Sequence, residues 1–274
     1  SNTSSALSIT IDSTAPSAPT SLSTYATTTS DNTPTIKGTA EAGSTVKLFN
    51  GSTLLGSATA DNNGAFSITS SDLSDGNYSL TATTTDSAGN TSNTSSALSI
   101  TIDATAPSAP TSLTNTSQAN NTTPTINGTS EAGSTVKLFN GSTLLGSTTA
   151  DNNGAFSITS SALSDGNYSI TATATDAAGN TSSLSSTLSI IIDATAPNAP
   201  TSLTNTSQGN DPTPTITGTA EVGSTIKLYE GSTLLGSAIA DNNGAFSITS
   251  SALSDGNYSL TATATDSAGN TSNT

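Results

Sequence analysis

Apolar and polar residues alternate along much of the chain. Leu98, Ile100 and Ile102 are separated by Ser99 and Thr101, Phe66 and Ile68 by Ser67, and Tyr78, Leu80 and Ala82 by Ser79 and Thr81. A period of two marks a strand with one buried face, not a helix. Val46 and Leu48 flank Lys47, which the same pattern turns toward water. Strands are predicted near 19–23, 34–40, 44–49, 53–60, 65–70, 77–86 and 95–102. Asn50-Gly51, Asn63-Gly64, Asp75-Gly76 and Gly89-Asn90 punctuate them. Asn63-Gly64 reads as a tight hairpin, because a type I′ turn needs positive φ at both central residues. The expected core is Ile36, Val46, Leu48, Leu55, Phe66, Ile68, Leu73, Tyr78, Leu80, Leu98, Ile100 and Ile102.

This pattern repeats. Residues 41–49 recur at 131–139 and, lightly changed, at 221–229, while residues 61–70 recur unchanged at 151–160 and 241–250. The period is 90 residues, with one extra residue between Leu22 and Pro34. Each copy is introduced by a strand that ends in an aspartate and runs into two prolines, as in Ile11-Asp12-Ser13-Thr14-Ala15-Pro16-Ser17-Ala18-Pro19. Proline fixes φ and offers no backbone donor, so pairing is expected to stop there and a stiff connector to begin. The chain therefore divides into residues 1–13, the last strand and linker of a preceding repeat, then repeats at 14–103, 104–193 and 194–274. The third lacks its final strand. It reads as a window on a longer array, in which residues 1–12 of another molecule are able to supply that strand head to tail.

Seven short strands in about 90 residues match an immunoglobulin-like sandwich, although the paired cysteines and tryptophan of antibody domains are absent. Tyr78 takes the place of a tyrosine corner. The predicted fold class is all-β: tandem immunoglobulin-like β-sandwich domains of about seven strands each, in an extended rod. Four motifs recur in order: Ile-Asp-x-Thr-Ala-Pro-x-Ala-Pro, Pro-Thr-Ile-x-Gly-Thr-Ala-Glu-x-Gly-Ser-Thr-Val, Asp-Gly-Asn-Tyr and Thr-Asp-x-Ala-Gly-Asn-Thr-Ser. Over essentially the whole chain they resemble the bacterial immunoglobulin-like (Big) tandem repeats of giant surface adhesins and biofilm-associated proteins. The resemblance implies a secreted, surface-tethered stalk, often stiffened by calcium between domains.

Charge narrows the partners. Only 8% of residues are charged, 19 acidic against 4 lysines, for a net charge of −15. Nothing here neutralises phosphates, which argues against nucleic acid. No apolar run reaches the roughly 18 residues of a membrane helix, so no membrane insertion is expected within this segment. Histidine and cysteine are absent, and the serines lack a plausible base. A carboxylate pair for glycoside hydrolysis would have to occur three times over, so no enzyme is expected.

The acidic residues sort by end. Strands alternate direction, which gathers the loops at 41–44, 61–64 and 86–90 where a repeat begins, beside the incoming linker. The candidate calcium ligands are Asp12, Glu41 and Asp86 for the first repeat, Asp103, Glu131 and Asp176 for the second, and Asp193, Glu221 and Asp266 for the third. Asp75 and Asp165 come from the far-end loops of the preceding repeats, and Asp151 and Asp241 from loops beside the linker. Calcium takes about six to eight oxygens in flexible geometry, which several loops at one joint can provide. The plain alternative is that these are turn aspartates capping local backbone donors, above all at Asp61 and Asp75.

Two readings of function follow. The first is a structural extender of a secreted cell-surface adhesin or biofilm-associated protein, projecting a distal binding domain. The other is a set of repeats that themselves bind glycan or host protein, or that self-assemble by strand addition. Tyr25, Phe49, Phe139 and Tyr229 are its aromatic candidates, and the variable segment 23–32 its candidate surface.

Overall fold

The computed structural model describes residues 5–274. The first repeat holds β1 (Thr20–Ser23), β2 (Thr28–Thr29), β3 (Thr35–Thr39), β4 (Thr45–Asn50), β5 (Thr53–Thr59), β6 (Ala65–Thr69), β7 (Gly76–Thr85) and β8 (Leu98–Ile102). The second holds β9 (Thr111–Asn115), β10 (Thr125–Thr129), β11 (Thr135–Asn140), β12 (Thr143–Thr149), β13 (Ala155–Thr159), β14 (Gly166–Thr175) and β15 (Leu188–Ile192). The third holds β16 (Thr201–Asn205), β17 (Thr215–Thr219), β18 (Thr225–Glu230), β19 (Thr233–Ile239), β20 (Ala245–Thr249) and β21 (Leu260–Thr265). Every described element is a strand, so the fold is all-β.

In the first repeat β1-β3-β6 form one sheet and β2-β8-β7-β4-β5 the other. The second repeat has β13-β10-β9 and β12-β11-β14-β15, the third β16-β17-β20 and β19-β18-β21. Alternation decides which face is buried. Val46 and Leu48 are fully buried while Lys47 is exposed. The buried cluster of the first repeat contains ten of the twelve expected residues, with Tyr78 and Leu98 half-buried against it; Ala60 and Ala82 complete it. The corresponding positions build separate clusters in the second and third repeats. By its internal contacts the chain forms two compact units. One runs through Ser108 and also takes in Ala174–Ser183, and the other comprises Ala109–Thr173 with Leu184–Thr274.

Three details depart from the sequence pattern. Asn63-Gly64 is not a hairpin: β5 pairs with β4 and β6 with β3, so this turn carries the chain from one sheet to the other. Only Gly64 there has positive φ, and the Asp61 carboxylate accepts from the Asn63 and Ala65 amides to hold the corner. The tight hairpin is instead β4–β5, with Gly51 at φ 56. Second, the prolines are not free connector, since Pro16, Pro19, Pro107, Pro110 and Pro197 are buried; the exposed linker is as short as Ala104–Ala106. Third, the bonding expected of a strand from 95 starts only at Leu98. Upstream, the buried Ser92 and Ser95 hydroxyls accept from the Thr84 and Ala82 amides in place of a ladder.

The tyrosine corner is present in each copy. The hydroxyls of Tyr78, Tyr168 and Tyr258 donate to the carbonyls of Ser74, Ser164 and Ser254 at 2.8, 2.9 and 2.7 Å. Each ties the start of the long strand to the loop before it.

Candidate functional site at the linkers

The linker between Ile102 and Pro107 is gripped twice. From the repeat behind it, the Asp75 carboxylate accepts from the Ala104 amide at 2.8 Å and from the Thr105 hydroxyl at 2.6 Å. From the loop ahead, the Asn180 side-chain amide donates to the Asp103 carbonyl at 2.7 Å and to the Asp176 carboxylate at 2.8 Å. Asp176 is itself fixed, because its other oxygen accepts from the Ala178 and Asn180 amides. The loop reads Asp-x-Ala-Gly-Asn, and an aspartate opening such a turn caps the donors that follow it.

The same arrangement recurs one repeat on. Asp165 accepts from the Ala194 amide at 2.7 Å and from the Thr195 hydroxyl. Asn270 donates to the Asp193 carbonyl at 2.8 Å and to Asp266 at 2.9 Å. At the front of the chain the leading half of the clamp is already formed: Asn90 donates to the Asp12 carbonyl at 3.1 Å and to Asp86 at 2.9 Å. Recurrence without change is what a device repeated at every linker would look like.

These hydrogen bonds favour the charged carboxylates. The Thr105 hydroxyl and the Ala104 amide hold Asp75 below the ordinary aspartate value of 3.8. The Thr195 hydroxyl and the Ala194 amide do the same for Asp165, and the Asn90 side chain leads the effect at Asp86. At Asp176 and Asp266 burial pushes upward, but the side chains of Asn180 and Asn270 with the turn amides outweigh it.

The candidate calcium ligands fall into two groups. Asp12 with Asp86, Asp103 with Asp176, and Asp193 with Asp266 are brought together through one asparagine each. Glu41, Glu131 and Glu221 sit in exposed turns, where their carbonyls accept from Ser44, Ser134 and Ser224. Among the described residues no three acidic side chains are gathered closely enough to hold a metal ion. Asp61, Asp151 and Asp241 are turn aspartates, each accepting from two nearby amides. Asp75 and Asp165 do more than cap a turn, and sequence reasoning missed their hold on the linker. It also missed Asn90, Asn180 and Asn270, as well as Thr105 and Thr195. All of these lie inside the recurring motifs, which was the available signal. The aromatic candidates separate too: Phe49, Phe139 and Tyr229 are half-buried, whereas Tyr25 is fully exposed.

A family profile described as bacterial Ig-like domain matches residues 6–104 and 107–194, and one described as bacterial Ig domain matches residues 196–274. No curated protein matches the chain significantly. Among solved structures it is similar to the fibronectin(III)-like modules of Clostridium thermocellum CbhA, at 20% identity and a TM-score of 0.38, covering 67% of this chain and 93% of that one. It is also similar to the BSP domain of a biofilm-associated protein, at 15% identity and a TM-score of 0.26, covering 94% of this chain and 65% of that one. The D0–D1 domain of intimin matches at 17% identity and a TM-score of 0.24, covering 63% of this chain and 98% of that one.

Proposed function

This chain belongs to the bacterial Ig-like domain family, and on that premise we propose that it is a non-enzymatic extender, the stalk of a secreted, surface-tethered adhesin or biofilm-associated protein that holds a binding domain away from the cell surface. The observation that supports the reading best is the recurrence of the same two-sided clamp on the linkers at Asp103 and Asp193. A spacer needs length and controlled joints, and near-identical copies supply both. Its partners on this reading are the neighbouring repeats and, end to end, further copies of the chain. Chains of one, two and three repeats compared by small-angle scattering test it. Each repeat should add about 30–40 Å to the longest dimension, as strands of up to ten residues at ~3.3 Å each imply. Repeats that fold back on one another, with no such increment, would overturn it.

Calcium enters the proposal as an added brace at Asp103 with Asp176 and at Asp193 with Asp266. Each place offers a linker carbonyl and one turn carboxylate, short of calcium's six to eight oxygens, so the Asp103 or Asp193 carboxylate and water would complete the shell. The thermal midpoint in EDTA and then in millimolar calcium decides the matter. A site held at about 100 times its dissociation constant adds ~2.7 kcal/mol, a rise of roughly ten degrees or more in a domain of this size. An unmoved midpoint removes calcium and leaves the hydrogen-bonded clamps as the sole brace.

One observation favours a second reading, in which a repeat itself binds. Tyr25 stands fully exposed beside a shallow cavity lined by Thr29, Asp31, Pro34 and Lys37. The second and third repeats have no tyrosine in the corresponding segment. Binding of the first repeat to a glycan array, lost in Tyr25→Ala, would support it, and silence would remove it.

A further inference from the structure

Asparagine followed by glycine occurs six times, in three structural settings. Asn50-Gly51 and Asn140-Gly141 stand at the β4–β5 and β11–β12 hairpins, where Asn50 pairs with Thr53 and Asn140 with Thr143. Asn63-Gly64, Asn153-Gly154 and Asn243-Gly244 stand at the corners that change sheets. Asn127-Gly128 lies inside β10, between β13 and β9. The third repeat has Glu230 before Gly231 at its hairpin. Glycine has no side chain to shield its amide nitrogen, which closes on the preceding asparagine's carboxamide carbon in a five-membered ring when that amide is free and the backbone is able to turn.

Exposure of the asparagine alone would pick out the corners, since Asn63, Asn153 and Asn243 are exposed while Asn50 and Asn140 are half-buried. The glycines reverse that order. Gly64, Gly154 and Gly244 are buried, and their amides donate to the Asp61, Asp151 and Asp241 carbonyls at 2.9, 2.9 and 2.8 Å. Their carbonyls accept from the Ala40, Ser130 and Ala220 amides at 2.8 Å. The asparagine amides donate in turn to the aspartate carboxylates at 2.8 Å. A corner is thus locked on both sides of the bond that would have to rotate. Asn127 is locked as well, paired with Ser157 on one side and Thr114 on the other. At the hairpins Gly51 and Gly141 are exposed, and their amides donate to no backbone or side-chain acceptor among the described residues. Their φ of 56° and 58° puts glycine first in a two-residue turn of the II′ form, and a Cβ on either would meet nothing within 4 Å.

We propose that Asn50 and Asn140 are sites of self-modification, losing ammonia to become aspartate or isoaspartate, while Asn63, Asn127, Asn153 and Asn243 persist. The Gly51 nitrogen attacks the Asn50 carboxamide carbon. A C–N bond forms there, the bond to Nδ2 breaks, and ammonia leaves with the proton of the glycine amide. Water then opens the ring. Addition at the former side-chain carbon gives aspartate, and addition at the backbone carbon gives isoaspartate. Asn140 and Gly141 react in the same way. Each product adds one negative charge to a chain that already carries −15. Isoaspartate also routes the backbone through the side-chain carbon, which lengthens it by a methylene and pulls the pair with Thr53 or Thr143 out of register. The hairpin tips of the first two repeats therefore change with age, and that of the third, with Glu230, does not. This chemistry stands apart from the extender reading.

The test holds the full chain for weeks in warm, mildly alkaline buffer, folded in one sample and in concentrated urea in another. Cleavage after lysine then gives fragments 48–137, 138–227 and 228–274, and tandem mass spectrometry locates the gain in mass from amide to acid. The last fragment carries Asn243 alone of the six and reports a locked corner directly. In the folded chain Asn50 and Asn140 should convert at least about tenfold faster than the other four, because ring closure at a corner first breaks two hydrogen bonds, each worth a several-fold change in rate. In urea all six should convert at similar rates. Persistence of Asn50 and Asn140 in the folded chain would overturn the proposal. Corners that convert as fast as the hairpins, or a hairpin preference that survives in urea, would overturn it too.

Discussion

Asn180 and Asn270 each place one amide between a linker carbonyl and a turn carboxylate. Alanine at either position removes both bonds and leaves the carbonyl to water. We expect a loss of about 1 kcal/mol for Asn270→Ala, read as a shift in the urea midpoint of the third repeat. Asp75 and Asp165 give a pH signature. Their carboxyls bind protons less readily in the folded chain than the ordinary 3.8. Their contribution is therefore fully present above that value and is lost as pH falls through the lower folded-state values. The stability gap between wild type and Asp75→Ala/Asp165→Ala should be constant at neutral pH and close below about pH 4. A gap that widens in acid would contradict the assignment.

Strands were the most legible level, because a half-buried sheet imposes a period of two that serine and threonine display cleanly against isoleucine and leucine. What alternation cannot reveal is which strand pairs with which. Asn63-Gly64 has the composition of a hairpin, yet its role is to change sheets, a choice made by packing across the sandwich. Equally hidden were Ser21, Ser112 and Ser202, which hold φ between 56° and 59° where the first strand of each repeat bulges. Serine carries no signal for that conformation. The candidate site was half legible: the aspartates were placed at the linker ends, but asparagine and threonine as their partners follow only from three-dimensional contacts. One packing detail gives a sharp test. A Cβ on Gly128 would lie 2.5 Å from the ring of Phe156 directly across the ladder. Gly128→Ala should cost about 1–3 kcal/mol in the second repeat through forced displacement of that ring, whereas alanine in place of the open Gly209 should not.

At the scale of the molecule, the three repeats are alike in sequence and each builds its own buried cluster. Net charge of −15 adds a background repulsion between molecules, which salt screens within about 8–10 Å, so contacts between molecules should strengthen as ionic strength rises. The clamp at Asp75 has a mechanical consequence as well. Tension applied to the linker beyond Ala104 pulls on β8, of which the linker is the continuation, and equally on β7, which begins one residue after Asp75. Two neighbouring strands then take up the load together, and the ladder between them feels less shear than if β8 alone were drawn out.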